Sequence, residues 1–187
     1  MRCFLAVPVA GPGLEGAQRL QRELRERVAE VRWARPETLH LTVHFFGQVE
    51  DERAAVAIEM VTPLVTRASP FDVVLDRLGS FPPRGTPRVL WLGPSHEVAP
   101  LTVLAHDCRA VLGAAGFEVD QRRYNPHCTF GRPRLPWSDA ARHAWAFAAQ
   151  QQPDIRFTAS RLVLYESRPA PGGAVYTERA SLPFGSG

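Results

Sequence analysis

The chain has 187 residues, of which 45% are hydrophobic and 22% charged, and this composition is typical of a globular protein that builds its own core. All 22 basic side chains belong to arginine, and the lack of lysine excludes Schiff-base catalysis, a P-loop and a lysyl-adenylate intermediate. A net charge of +3 is too small for general nucleic-acid attraction, so any anion site must be local.

Hydrophobic spacing and turn residues predict interleaved strands and helices in the first half of the chain. In order, these are a strand over 2–8, a helix over 13–31, a strand over 38–46, a helix over 51–65 that Pro63 kinks or ends, and strands over 71–78 and 88–92.

The second half repeats this alternation. A helix is predicted over 98–115 with Gly116 as its cap, then a short strand over 126–130 and a helix from Ser138 to about residue 150. Two last strands, 155–167 and 174–182, flank a Pro-Gly-Gly turn. Short inter-strand loops leave no room for helical crossovers, so we predict an α+β fold with mostly antiparallel sheet in two similar halves.

Cysteine content and hydropathy indicate the compartment. Cys3, Cys108 and Cys128 are far apart and odd in number, which fits neither a disulfide framework nor a structural zinc site. No apolar run approaches the ~20 residues of a membrane span. We therefore expect a cytoplasmic monomer without a membrane segment.

One short pattern occurs twice, as His40-Leu41-Thr42 and as His127-Cys128-Thr129. Two such copies with apolar flanks should arise by chance in roughly one shuffled sequence in a hundred. In a strand, the histidine and the threonine of each copy share one face, while the apolar neighbours face the core.

A single copy is most simply a strand histidine satisfied by nearby hydroxyls, but duplication favours function. Two imidazoles and two hydroxyls around a shared cleft supply the general base, the general acid and the donors that phosphodiester hydrolysis needs. A zinc site built from His40, His44 and His127 is a weaker alternative, because no carboxylate or cysteine lies at a supporting spacing. Cys128 should face the core, which disfavours a thiol nucleophile.

The two motifs resemble those of the 2H phosphoesterase superfamily, and specifically its RNA 2′,3′-cyclic phosphodiesterase branch, also called 2′-5′ RNA ligase. Further similar segments lie in the same order along the chain: Arg2 to Ala6, Phe45 to Gly47, Arg88 to Gly93, Leu164 to Ser167 and Gly172 to Tyr176. His44 departs from the branch, which commonly has lysine there. The resemblance implies one bilobal domain over residues 1–187, two pseudo-symmetric lobes with a motif in each, and the active-site cleft between them.

The resemblance also implies the chemistry of the site. His40 corresponds to the proton donor and His127 to the proton acceptor, while Thr42 and Thr129 hold the phosphoryl oxygens, without metal or other cofactor. The expected substrates are RNA ends or small nucleotides bearing a 2′,3′-cyclic phosphate, which are hydrolysed to 2′-phosphates, with weak reverse 2′-5′ ligation.

Arginines accumulate around the second motif, at positions 122, 123, 132 and 134, and predict a local positive field. Arg132 is the favoured phosphate ligand, because it resembles the arginine that often follows this motif in the branch.

Two other functions stay open from the sequence. One is a phosphodiesterase for another cyclic nucleotide or a 2′-5′ oligonucleotide, and the other is a non-catalytic module that binds RNA ends. Aromatic residues that could stack on a base are Phe4, Phe46, Phe81, Trp91 and Tyr124.

Overall fold

The structure, a computed structural model, describes residues 1–171 and 173–185. The helices within these ranges are α1 Gly11–Arg27, α2 Asp51–Arg67, α3 Ala99–Ala114 and α4 Asp139–Ala148. The strands are β1 Arg2–Pro8, β2 Val31–Trp33, β3 His40–Gln48, β4 Phe71–Leu75, β5 Arg77–Phe81, β6 Val89–Gly93, β7 Cys128–Pro133, β8 Ile155–Ala159, β9 Arg161–Arg168 and β10 Val175–Pro183. The predicted Pro-Gly-Gly turn includes Gly172, which lies outside the described residues.

The strands form two four-stranded sheets, with the orders β10-β9-β1-β3 and β2-β7-β6-β5, and a two-stranded sheet of β4 and β8. Every pairing within them is antiparallel. The two large sheets each contain one of the repeated motifs, on β3 and at the start of β7. The predicted α+β class with two similar lobes is therefore confirmed.

One apolar core joins the two large sheets. Leu41 of β3, Leu90 of β6 and Phe130 of β7 are fully buried members of the same cluster. Around it, α1 packs on β8, while α2 packs on α3 and β10. The two strands that carry the motifs, β3 and β7, also contact each other directly. The fold thus brings the motif strands together at the junction of the sheets.

The prediction that the first helix extends to residue 31 is wrong. The helix ends at Arg27, and Glu30 adopts a left-handed conformation with φ = 61° that reverses the chain. Val31 then begins β2, which pairs with β7. Val28 and Val31 continue the helical spacing because both pack on the core, so periodicity alone hides the turn.

Two segments predicted as single strands, 71–78 and 155–167, each divide between two sheets. The first breaks at Asp76, whose carboxylate accepts hydrogen bonds from the backbone N–H and the hydroxyl of Ser95, both at 2.6 Å. The second breaks at Ser160, whose carbonyl accepts from the backbone N–H of Phe184 at 2.8 Å. Each break lets the chain leave the small β4-β8 sheet and enter a large one.

Pro63 does not end α2, which continues to Arg67. Pro63 and Glu59, whose carbonyl loses its helical partner, are both exposed, so water can replace the lost hydrogen bond. The predicted caps of the later helices are confirmed. Gly116 follows α3 with φ = 77°, and the Ser138 hydroxyl accepts a hydrogen bond from the Ala141 N–H at the start of α4.

Across the described ranges, none of the helices is long and apolar enough to cross a membrane.

Candidate active site

The first motif lies at the start of β3. His40 and Thr42 are half-buried, whereas Leu39, Leu41 and Val43 are at most 3% exposed. This alternation is the pattern predicted for a strand with one face on the core. It directs the imidazole and the hydroxyl to the same side of the sheet.

The second motif has the same pattern with one difference. Thr129 lies on β7, but His127 immediately precedes the strand rather than lying within it. Both are half-buried, while Cys128 and Phe130 between and beyond them are fully buried. The Cys128 thiol therefore faces the core as predicted, and burial raises its pKa to about 12.

Each motif histidine is oriented by the same type of hydrogen bond. His40 Nδ1 lies 2.7 Å from the carbonyl of Thr38, and His127 Nδ1 lies 2.8 Å from the carbonyl of Asn125, two residues upstream in both cases. A carbonyl oxygen can only accept, so Nδ1 carries the proton in both rings. Nε2 of each imidazole is then the unprotonated nitrogen, which can accept a hydrogen bond.

Aromatic side chains enclose His40. Its ring centroid lies 4.7 Å from that of Phe4, 5.3 Å from that of Tyr176 and 6.1 Å from that of Tyr165. Burial among these rings lowers the pKa of His40 to about 4, against the hydrogen bond to Thr38, and the nearby charge of His127 lowers it further. His40 is therefore neutral at pH 7 in the free protein.

His127 has a more open environment. The Phe81 ring meets it edge to face at 4.9 Å, and Trp91 lies behind Phe81 at 5.6 Å. Trp91 is 9% exposed and belongs to the interior, whereas Phe81 lines the cavity beside His127. The two imidazoles thus differ in their access to solvent.

A hydrogen bond ties the second motif to the first. The hydroxyl of Tyr124, three residues before His127, donates to the backbone carbonyl of Thr42 at 2.9 Å. The Arg109 guanidinium lies 5.5 Å from the centre of the Tyr124 ring. Tyr124 therefore connects the loop that holds one histidine to the strand that carries the other.

Two openings flank the motifs. The larger is a cavity of about 930 Å³ that contains Thr42 and His127 in its wall. Its other walls include the aromatic residues Phe45, Phe46 and Phe81 together with arginines of α3 and of the following loop. The smaller, of about 140 Å³, lies beside Thr38 and Thr129.

The arginines predicted around the second motif do not converge on one point. Arg122 is bound to the Asp120 carboxylate at 2.6 Å, and Arg123 lines the large cavity. Arg132, the favoured phosphate ligand, lines the small pocket with Thr129, whereas Arg134 borders neither opening. Arg132 therefore remains the arginine of this group nearest the second threonine.

His44 does not repeat the orientation of His40. A β-bulge interrupts the pairing of β3 with β1, so that Val43 and His44 are both buried in succession. Burial lowers the pKa of His44 to about 4, and its ring packs edge to face on Phe46 at 4.5 Å. Over residues 1–171 and 173–185, no three His, Cys, Asp or Glu side chains form a metal-ligand group.

Three of the five aromatic residues that could stack on a base line the large cavity. Phe46, Phe81 and Tyr124 are half-buried there, and the Tyr124 hydroxyl donates to the Thr42 carbonyl. Phe4 packs against His40, and Trp91 is 9% exposed. Phe45, half-exposed in the same cavity, was missed because the bulge reverses the alternation after Val43.

Two arginines of the small pocket, Arg32 and Arg35, were also missed. Arg32 directly follows the helix predicted over 13–31, and it lies opposite a motif strand because β2 pairs with β7. The available signal was the alternation of Val31 and Trp33 around Arg32.

The family model of the 2′-5′ RNA ligase superfamily matches residues 15–170. The chain belongs to this superfamily.

Relatives in the 2′-5′ RNA ligase superfamily include an RNA 2′,3′-cyclic phosphodiesterase of Archaeoglobus fulgidus, 35% identical over 132 residues that make up 71% of this chain and 72% of the relative. A protein of the same name from Geobacillus stearothermophilus is 30% identical over 129 residues, 69% of this chain, but this chain covers only 41% of that relative. The crystal structure of TT0787 from Thermus thermophilus has a TM-score of 0.82 at 23% identity, covering 100% of this chain and 99% of the other. This likeness confirms the fold.

Proposed function

We propose that the protein hydrolyses RNA 2′,3′-cyclic phosphate ends to 2′-phosphomonoesters by metal-independent acid–base catalysis with two histidines. The observation that carries the proposal is the equivalent arrangement of His40 and His127, each with Nδ1–H fixed on a carbonyl and Nε2 free for substrate. The family membership and the names of the relatives support the same substrate class.

In this proposal, His127 accepts a proton from water as the water oxygen attacks phosphorus. The bond from phosphorus to the 3′ oxygen breaks, and His40 donates a proton to that oxygen. The phosphate stays on the 2′ oxygen, and the charges of the two imidazoles are exchanged. Thr42 and Thr129 donate hydrogen bonds to the non-bridging oxygens, and Arg132 adds positive charge on the Thr129 side.

Because the pKa of His40 is low, its imidazole can act as an acid only if the bound substrate raises that pKa. In the free protein the imidazole is neutral at pH 7, because burial lowers its pKa to about 4. A phosphodiester anion next to the ring favours the imidazolium and raises this pKa. His40 is thus charged only when the phosphate is present.

The larger opening has room for the nucleoside. Ligand cavities are typically about 300–1,000 Å³ in volume, and the cavity beside His127 measures about 930 Å³. The half-buried rings of Phe46 and Phe81 offer surfaces on which a base can stack. We therefore place the terminal base on the His127 side.

The experiment that tests the proposal is incubation of the purified protein with a short RNA that ends in a 2′,3′-cyclic phosphate, in excess EDTA. We expect hydrolysis at the same rate as without chelator, because neither histidine needs a metal to transfer a proton. Loss of activity in EDTA that zinc restores would contradict the mechanism and favour the three-histidine alternative.

Two further measurements test the binding-module alternative and the reverse reaction. Tight binding of the cyclic end without turnover would identify a non-catalytic binding module. Adding an RNA with a 5′-hydroxyl should yield a small amount of product joined by a 2′-5′ bond, because the same groups catalyse the reverse step.

A further inference from the structure

We propose that the pocket lined by Arg32, Arg35 and Arg132 binds a second phosphate group of the substrate, namely the one attached to the 5′ side of the terminal ribose. The pocket adjoins Thr129 of the second motif. The inference deepens the proposed function and rests on it, because it concerns the same substrate.

The first argument is an uncompensated pair of like charges. Arg32 of β2 lies directly opposite Arg132 of β7 in their antiparallel ladder. Like charges at directly opposite positions destabilise a sheet. Within the described part of the chain, neither guanidinium has a carboxylate within 4.0 Å. An anion between them would remove the repulsion.

The third arginine points to the same chemistry. Arg35 Nη2 donates to the carbonyl of Ala174 at 3.2 Å, which holds this side chain at the rim of the pocket. Its nearest carboxylate, Glu37, lies 3.7 Å away and is not part of the pocket wall. The described residues that line the pocket include three arginines together with Thr38, Thr129 and Tyr176, and none of them is Asp or Glu.

Size decides which part of a nucleotide fits. The pocket measures about 140 Å³, below the roughly 300 Å³ at which drug-sized ligand cavities begin. A nucleoside is therefore too large, whereas a single tetrahedral phosphate fits. The cavity on the His127 side is the one with room for a base.

The connectivity of ribose agrees with this division. The base is attached to C1′, next to C2′, and the 5′ carbon is attached to C4′, next to C3′. The two groups therefore lie at opposite ends of the 2′,3′-cyclic phosphate. With the base on the His127 side, the 5′ phosphate extends towards the small pocket. The 3′ oxygen then lies on the side of Thr38, whose carbonyl holds His40. This is the oxygen that His40 is proposed to protonate.

The decisive experiment compares adenosine 2′,3′-cyclic phosphate with the same compound bearing a 5′ phosphate. We expect the 5′-phosphorylated compound to have a kcat/KM about 10- to 100-fold higher in the wild-type protein. Arg32→Gln should reduce this ratio towards one, whereas Arg134→Gln, a change at an exposed arginine outside both openings, should keep it. Equal kcat/KM for both compounds in the wild type would overturn the inference and leave the proposed function intact.

Binding measurements test the pocket independently of turnover. By calorimetry, adenosine 3′,5′-bisphosphate should bind at least about 10-fold more tightly than adenosine 3′-monophosphate, and Arg32→Gln should abolish the difference. If neither cyclic compound is hydrolysed while this preference persists, the proposed function fails and the pocket stands. The bisphosphate could instead bind no more tightly than the monophosphate, while inorganic phosphate binds together with the monophosphate. The pocket would then hold free phosphate, and the assignment of the pocket to the 5′ phosphate of the substrate would be wrong.

The melting temperature of the ligand-free protein distinguishes a phosphate-binding role of Arg32 from a role in stabilising the sheet. Because Arg32→Gln removes the repulsion with Arg132, it should raise the melting temperature at low salt by about 1–2 °C. A lower melting temperature would mean that the Arg32 charge stabilises the sheet, which contradicts the argument from like charges.

Discussion

At each motif, one hydrogen bond fixes which imidazole nitrogen carries the proton. The carbonyls of Thr38 and Asn125 fix the tautomers of His40 and His127, so the two rings are equivalent in orientation. They differ in burial, since three aromatic rings lie within 6.1 Å of His40, whereas in the described structure His127 has only Phe81 within that distance, at 4.9 Å. The proposed acid and the proposed base thus have different surroundings.

Replacing either histidine should remove one proton transfer. We expect His40→Ala and His127→Ala each to lower kcat by roughly 10²- to 10⁴-fold while the protein stays folded. His106→Ala is the matched control, because that side chain is 82% exposed and lies on α3 outside both openings. Steady-state kinetics with the cyclic phosphate would measure the effect. Full activity of either motif variant would disprove the two-histidine mechanism.

The protonation of His40 should depend on the ligand. Free His40 should remain neutral from pH 9 down to near its pKa of about 4, because burial disfavours the imidazolium. An anion favours that form, so a bound nucleoside 2′-monophosphate should raise the pKa by more than ~1 unit. Between the free and the raised pKa, binding takes up a proton, and affinity therefore increases as pH falls.

Imidazole nitrogen NMR spectra would follow this titration for each histidine, with the exposed ring of His106 as the internal control. If free His40 titrated near 6.5, or if the nucleotide left its pKa unchanged, the assignment of His40 as a substrate-induced acid would be refuted.

At the scale of elements, a hydrogen bond from Tyr124 links the segment before the second motif to the strand of the first. Its hydroxyl donates to the Thr42 carbonyl on β3, which is the edge strand of its sheet and pairs only with β1 in the described structure. We expect Tyr124→Phe to lower kcat by about 10-fold with KM changed by less than about twofold, because small misplacements of catalytic groups reduce rates steeply.

Kinetics well below the melting temperature would separate this effect from stability. Thr158→Val is the control, since it removes a hydrogen bond of similar length, 2.8 Å to Asp72, on the remote β4-β8 sheet. An equal decrease in kcat for both variants, or none for Tyr124→Phe, would show that the bond does not position the motifs.

The sequence predicted most elements because their apolar periodicity and caps are local. It also predicted that Thr42 and Thr129 share a face with their histidines, since two-residue alternation requires this near the start of each strand. It missed the breaks at Asp76 and Ser160 because these depend on hydrogen bonds to distant residues, Ser95 and Phe184. Such long-range partners leave no periodic signal.

Long-range pairing also explains why the sequence did not predict Arg32 and Phe45 as lining residues of the two openings. Arg32 faces the small pocket only because β2 pairs with β7, and Phe45 faces the large cavity only because a bulge follows Thr42. The carbonyls that orient the histidines belong to backbone groups, which residue identity does not encode.

At the scale of the whole molecule, the two lobes share one core, and this supports our proposal that residues 1–187 form a single bilobal domain. Buried side chains from both large sheets, such as Leu41 and Phe130, belong to one cluster. The junction of the sheets places one opening on the His127 side and another on the Thr38 side. A substrate that spans both openings has a defined orientation, and the orientation fixes which ester bond breaks.

The position of the phosphate on the product ribose distinguishes the proposed roles of the two histidines. An RNA with a 2′,3′-cyclic end should be hydrolysed in ¹⁸O-labelled water, and the product analysed by phosphorus NMR and mass spectrometry. If His40 protonates the 3′ oxygen and His127 activates water, as we propose, the product is a 2′-phosphate that carries a single ¹⁸O atom. A 3′-phosphate would contradict this proposal, because the acid and base roles would then be exchanged between the lobes.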